Sequence, residues 1–270
     1  MNIFKKLFGR RKKPKIKIGL ALGSGGAKGF AELGVIRALE ENGVVADIVG
    51  GTSIGSIIGA FYANGYTSTD IISLLETVDV KDIKRFVAIN MSSDGLNSVI
   101  DRYLGDLKIE ELSKPFVAVA TNVDTGEEVV MRSGKASDAL CASSAYPPYF
   151  KPVIIDGVRY VDGAFTNSVP ADRVKELGAD VIIGVDLSDH KPKQSFLESI
   201  IPTFRGGVDK PWQKGYEYSD VMLHPNLEGY SSVSFSDGNK MFEIGYAEAL
   251  SKMDEIKRAI DFAGNKKKRK

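Results

Sequence analysis

Apolar positions recur along this chain in two rhythms, the alternation of a half-buried strand and the three-to-four spacing of a helix face. Residues 15–22 alternate and then become wholly apolar, which predicts a first buried strand. Residues 27–42 carry Phe30, Leu33, Ile36 and Leu39 at helical spacing and stop at Gly43. A second strand follows over 44–49, then a helix rich in small residues running to Asn64. Ser68 is the expected N-cap of a helix over 68–78, and residues 81–105 read as mostly helical with a break near 92–95. Two hairpins come next. Strands 116–123 and 127–132 meet at Asp124-Thr125-Gly126, and strands 153–155 and 158–161 flank Asp156-Gly157. Helices are expected over 136–145 and 171–177, an apolar strand over 180–187, and one long closing helix over 241–262. Residues 189–239 are weakly patterned but rich in aromatics, as a cover over an apolar site or a loop packed on the body would be. Helices between apolar strands imply an α/β fold with a mainly parallel central sheet flanked by helices, with antiparallel hairpins added.

Composition adds limits. The 270 residues suffice for one large domain, and 43% hydrophobic with 26% charged residues is ordinary for a soluble globular protein. The single Cys141 excludes an internal disulfide and fits a reducing compartment. Two histidines and one cysteine show no clustered zinc-ligand spacing, so no metal or cofactor is expected. Residues 48–69 carry no charge and match a membrane span in length, but five glycines and several Ser and Thr make a buried helix against a sheet the better reading. No signal peptide is visible, which points to the cytoplasm.

The net charge of +1 conceals a segregation. Residues 1–17 hold eight basic residues and no acid, and residues 266–270 are all basic. Without them the body carries 23 basic against 35 acidic residues. Ile3, Phe4, Leu7 and Phe8 form an apolar stripe among Lys5, Lys6, Arg10 and Arg11. Such ends favour the anionic inner face of a membrane, where each basic residue contributes about 1 kcal/mol; solvated tails are the plainer alternative.

Three motifs carry chemistry. Gly51-Thr52-Ser53-Ile54-Gly55 has the G-x-S-x-G form of a nucleophile elbow, with Gly51 and Gly55 where a side chain would clash. Gly23-Ser24-Gly25-Gly26-Ala27-Lys28-Gly29 links a strand to a helix, so its N–H groups can hold an anion. It fails the dinucleotide fingerprint at Lys28 and the phosphate-loop pattern at Gly29, leaving an oxyanion hole as the third reading. Asp162-Gly163-Ala164 puts an acid at a strand end, where a plain Asp-Gly turn is the competing reading. A serine needs a base. Ser53, Asp162 and His224 follow α/β-hydrolase order, but His190 and His224 both lie beside prolines in the weakly patterned stretch. A Ser–Asp dyad is the alternative.

Together the three motifs resemble the patatin-like phospholipase family in its compact bacterial form. Ala120-Thr121-Asn122 with Thr125-Gly126-Glu127, Ala142-Ser143-Ser144-Ala145 with Pro147, Phe150-Lys151-Pro152, and Asn167 with Pro170 extend the resemblance over residues 16–187. It implies a three-layer α/β/α fold with Ser53 as nucleophile and Asp162 as general base. Gly25 and Gly26, with Ala27, would supply the oxyanion N–H groups, and Lys28 would order the loop. Gly51, Gly55 and Gly163 would be supporting positions. Ser24 and Ala164 stand where relatives often carry glycine. The implied reaction is lipid acyl-ester hydrolysis through an acyl-serine, of phospholipase, lysophospholipase or carboxylesterase type. A catalytically silent lipid-binding or scaffolding protein on this fold is the alternative. The expected organisation is a basic segment 1–15, a catalytic domain 16–263 and a basic tail 264–270. The expected partners are a lipid or phospholipid ester and, through residues 1–15 and 266–270, an anionic membrane surface; nucleic acid is not expected.

Overall fold

The computed structural model describes residues 15–77, 94–190 and 208–269. The apolar stripe at Ile3–Phe8 therefore lies outside the described residues, as do residue 78 of the helix expected over 68–78, 81–93 of the mostly helical stretch and 191–207 of the aromatic stretch. In chain order the elements are β1 (Ile18–Leu22), α1 (Gly29–Glu41), β2 (Ile48–Thr52), α2 (Ile54–Ala63), α3 (Ser68–Thr77), α4 (Asp94–Leu104) and β3 (Phe116–Asn122). They continue with β4 (Glu128–Met131), α5 (Ala136–Ser143), β5 (Val153–Ile155), β6 (Val158–Asp162), α6 (Ala171–Glu176) and β7 (Val181–Val185). The last four are α7 (Gln213–Tyr218), β8 (Val221–Leu223), α8 (Gly238–Ser251) and α9 (Met253–Arg269).

The strands form one mixed sheet in the order β5-β6-β3-β2-β1-β7-β8, with β4 also on β3. The run from β3 to β8 is parallel, and the two expected hairpins supply the antiparallel part. Alternate residues of a strand face opposite sides, and this divides the core. Leu20, Leu22, Val49, Ile183 and Val185 pack with α1, α2, α8 and α9. Ala21, Ile48 and Ile182 pack with Val169, Ala171 and Val174 around α6. Helices on both faces make the three-layer α/β/α arrangement that the family resemblance implied. Helices α1 and α8 cross almost in backbone contact: a Cβ on Gly34 would lie 2.0 Å from the Phe242 carbonyl, and one on Gly245 1.9 Å from that of Ala31.

Three local expectations change. Thr67, not Ser68, caps α3: its N–H and hydroxyl bond Asp70 Oδ2, and Asp70 N–H returns to its hydroxyl. Ser68 is buried instead and donates to Glu40. The single closing helix is two, broken at Lys252, and the turn lays Met253 and Ile256 in the core. Within the aromatic stretch, α7 and β8 appear; six and three residues are too short to show a period.

Candidate active site

Leu22 pairs with Gly51, so the chain leaves β1 and β2 at the same level of the sheet. After β2, Ser53 takes φ 57° and ψ −127° and α2 begins at once. A non-glycine residue in this region costs about 1–3 kcal/mol and persists only when its surroundings enforce it. Here they do. The Ser53 N–H donates to Ser143 Oγ at 2.9 Å, and Ser143 in turn donates to the Val119 carbonyl of β3 at 2.6 Å. The Ser53 carbonyl accepts from the Ser56 hydroxyl at 2.6 Å. A Cβ on Gly51 would lie 2.2 Å from the Gly55 carbonyl, so the two elbow glycines are required by the tightness of the turn. Ser53 is 7% exposed.

Asp162 ends β6 and is fully buried. It pairs with Ala120, the residue after Val119, which pairs with Thr52. Asp162 and Ser53 thus stand at one level, on strands either side of β3. A Cβ on Gly163 would meet the Val119 carbonyl at 2.3 Å and the Thr52 methyl at 2.9 Å, so glycine here lets the two motifs close on each other. The carboxylate is oriented through Oδ1, which accepts the Ala164 N–H at 2.8 Å. Tyr146, stacked on Phe165 at 5.0 Å, is pushed up to about 12 by burial and by the Asp162 charge.

The Thr52 hydroxyl donates to the Asn167 carbonyl at 2.8 Å, and the Asn167 amide donates to Glu128 and Asp172. Glu128 also receives Arg173 and Lys214. Burial raises the Glu128 pKa, but the hydrogen bonds from Arg173, Lys214 and Asn167 outweigh it and hold it at about 2.

The glycine loop touches the elbow: a Cβ on Gly55 would lie 2.6 Å from the Gly23 carbonyl, and one on Gly29 2.5 Å from Ile54. Gly23 N–H donates to Glu32 at 2.7 Å, Ser24 N–H to Ser168 at 3.0 Å and Lys28 N–H to Gly25 at 3.2 Å. Among the described residues the N–H groups of Gly25 and Gly26 have no acceptor. Gly26 has φ +58°, a conformation that favours glycine. The third expected donor differs: Ala27 N–H is taken by the Ser232 carbonyl at 2.8 Å. Behind the loop, burial raises the Glu32 pKa well above the ordinary range, against the Gly23 bond, and the nearby Asp186 adds to the rise.

The histidines go elsewhere. His190 Nε2 lies 2.7 Å from Asp186 Oδ2, and His224 Nδ1 3.7 Å from the same atom. Neither is placed on Asp162 by any described hydrogen bond or ion pair. A cavity of about 310 Å³ among Ile109, Lys114, Phe116, Arg132 and Leu177 lies at the start of β3, away from Ser53.

Glu32 and Ser143 are the side chains bonded to the two motifs that sequence reasoning did not single out. Glu32 looks like an ordinary acid in a helix first turn, and Ser143 stands in a segment noted only for its resemblance.

Comparison with known proteins gives a consistent result. A family model described as "Patatin-like phospholipase" matches residues 20–175. Human "Patatin-like phospholipase domain-containing protein 6" is 35% identical over 265 residues, covering 91% of this chain and 19% of that protein. The mouse "Patatin-like phospholipase domain-containing protein 7" is 35% identical over 183 residues, covering 63% and 13%. "Lysophospholipase nte1" of Aspergillus fumigatus is 26% identical over 281 residues, covering 89% and 18%. The chain therefore spans less than a fifth of the length of these eukaryotic relatives. Among solved structures, VipD from Legionella pneumophila superposes with a TM-score of 0.57 at 15% identity, over 90% of this chain and 67% of that one. Human GIVD cytosolic phospholipase A2 does so with 0.55 at 10% identity, over 93% and 60%. These two show the fold.

Proposed function

Since the chain belongs to the patatin-like phospholipase family, we propose that it hydrolyses lipid acyl esters, with phospholipids or lysophospholipids as substrates, through an acyl-serine formed on Ser53. The observation that carries this reading is the turn itself: a serine at φ 57° whose N–H is held by Ser143, with the glycine loop packed on its elbow and, among the described residues, no acceptor for the Gly25 and Gly26 N–H groups. The substrate class is supported by the name of a relative, a lysophospholipase.

Ser53 Oγ attacks the acyl carbonyl while Asp162 takes its proton. Gly25 and Gly26 N–H groups meet the charge on the carbonyl oxygen, each worth about 2.7–4 kcal/mol in the transition state. The proton passes to the leaving alcohol as the tetrahedral intermediate collapses. Water then attacks the acyl-serine with Asp162 again as base, and Ser53 is regenerated. A carboxylate is a weak base in water, with a reference pKa of about 3.9; Asp162 stands fully buried at the end of β6, away from solvent. The meeting of both histidines on Asp186 favours a dyad over a triad.

Hydrolysis of mixed phospholipid and lysophospholipid vesicles by wild type, Ser53→Ala and Asp162→Asn tests the reading. Both variants are expected to fold and to lose at least about a thousandfold in kcat, as removal of a member of a serine hydrolase's machinery does. Asp162→Asn with most of the wild-type rate would overturn the dyad. Wild type without turnover on any of these lipids would favour a silent lipid binder.

A further inference from the structure

The chain's two histidines, 34 residues apart in sequence, converge on one buried carboxylate. Their separation is why no ligand spacing was legible. Asp186 follows β7, His190 lies four residues further on, and His224 follows β8. Parallel pairing of β7 with β8 puts Val185 beside Leu223, so the two strands deliver Asp186 and His224 together. Asp186 Oδ2, His190 Nε2 and His224 Nδ1 all lie within 4.8 Å of one another.

We propose that Asp186, His190 and His224 form a site for a single divalent transition-metal ion of the zinc type. Two imidazoles and a carboxylate are the donor set that suits such ions, whereas magnesium and calcium prefer oxygen alone. Ligand atoms around a tetrahedral ion at about 2.0–2.1 Å stand roughly 3.4 Å apart. The present separations on Asp186 are 2.7 Å and 3.7 Å, and the two ring nitrogens lie within 4.8 Å of each other, so entry of an ion needs side-chain shifts of roughly an ångström. The histidine side chains, 38% and 43% exposed, have room for it.

The surroundings fix the ligands as a metal site requires. Ser188 N–H donates to Asp186 Oδ1 at 2.9 Å, which leaves Oδ2 facing the histidines. Trp212 stacks on His190 with centroids 4.7 Å apart, and Tyr216 meets the same ring edge-on at 5.7 Å. With three protein ligands the ion would keep an open position for water. Its structural consequence is local. Leu187, next to Asp186, packs under the oxyanion loop, where a Cβ on Gly25 would lie 2.8 Å from it. A bound ion would tie the ends of β7 and β8 together beneath that loop.

The site is independent of the catalytic reading, and its test does not use activity. Untagged full-length protein, stripped with a chelator, is titrated with zinc chloride by calorimetry and with cobalt chloride by visible absorption. One ion per chain is expected, with cobalt d–d bands and a rise in the wild-type melting temperature. His190→Ala and His224→Ala, shown to be folded by circular dichroism, should each weaken binding at least about tenfold and abolish the bands. Failure of wild type to bind one ion saturably would overturn the site. So would equal affinity in wild type and both variants, and the residues would then form a metal-free hydrogen-bonded cluster.

Discussion

Ser53 holds its conformation because a second serine pays for it. Ser143 accepts the Ser53 N–H and donates to Val119, so one buried hydroxyl ties the elbow to β3. Ser143→Ala leaves the Ser53 N–H and the Val119 carbonyl without that partner, at a cost of about 1–3 kcal/mol each. The variant should therefore melt earlier than wild type and turn over lipid esters more slowly, measured by calorimetry and initial rates. An unchanged melting temperature would show that the elbow does not depend on this strap. At this scale the sequence was legible wherever the backbone itself demands a residue type. Gly51, Gly55 and Gly163 can be read because a side chain there would strike backbone. Ser143 and Glu32 could not be assigned their roles, since those roles come from partners 90 and 9 residues away.

Among the elements, β4, α6 and α7 are fastened by charge. Glu128 on β4 takes Arg173 from α6 and Lys214 from α7, and Asn167 links this group to Thr52 of β2. The Glu128 pKa is about 2 in the fold against an ordinary 4.5. A carboxylate depressed on folding stabilises fully above its unfolded value, and that stability is lost as pH falls through the folded one. The window is thus from about pH 4.5 down to about 2, and the contribution at neutral pH is up to about 3 kcal/mol. Glu128→Gln should be less stable than wild type at pH 7 in urea titrations, with the gap narrowing on acidification through that window. A gap independent of pH would contradict the assignment. The longer periodic elements β1, α1 and β3 stand within a few residues of their expected places, and the Asp156-Gly157 turn made the β5–β6 hairpin legible. The break at Lys252 was not, because neither glycine nor proline marks it; burial of Met253 and Ile256 imposes it. Nor was β8, which becomes a strand through its pairing with β7.

The whole molecule has two poles. The C-terminal ends of β1 and β2 carry the glycine loop and Ser53. The opposite end gathers positive charge: Lys267, near the end of α9, bonds Asp180 and the Lys15 carbonyl, and Lys15 pairs with Asp47. Residues 266–269 are helical and lie beside the point where the basic N-terminal segment joins β1. Five-residue strands separate the poles by about 16 Å. Among the described residues no helix is long and apolar enough to cross a membrane. Replacing Lys266, Lys268 and Arg269 by Glu should weaken co-sedimentation with anionic vesicles, most at low salt, and leave hydrolysis of a small dissolved ester unchanged. Equal vesicle binding by the variant would remove the basic pole from any role at a lipid surface.

The catalytic pole rests on one claim, that Ser53 is an activated nucleophile. Labelling of wild type and Ser53→Ala with a fluorophosphonate, read by intact mass, tests it most directly. One adduct on wild type and none on the variant is the predicted result. An adduct retained by Ser53→Ala, or none on folded wild type with or without anionic vesicles, would contradict it.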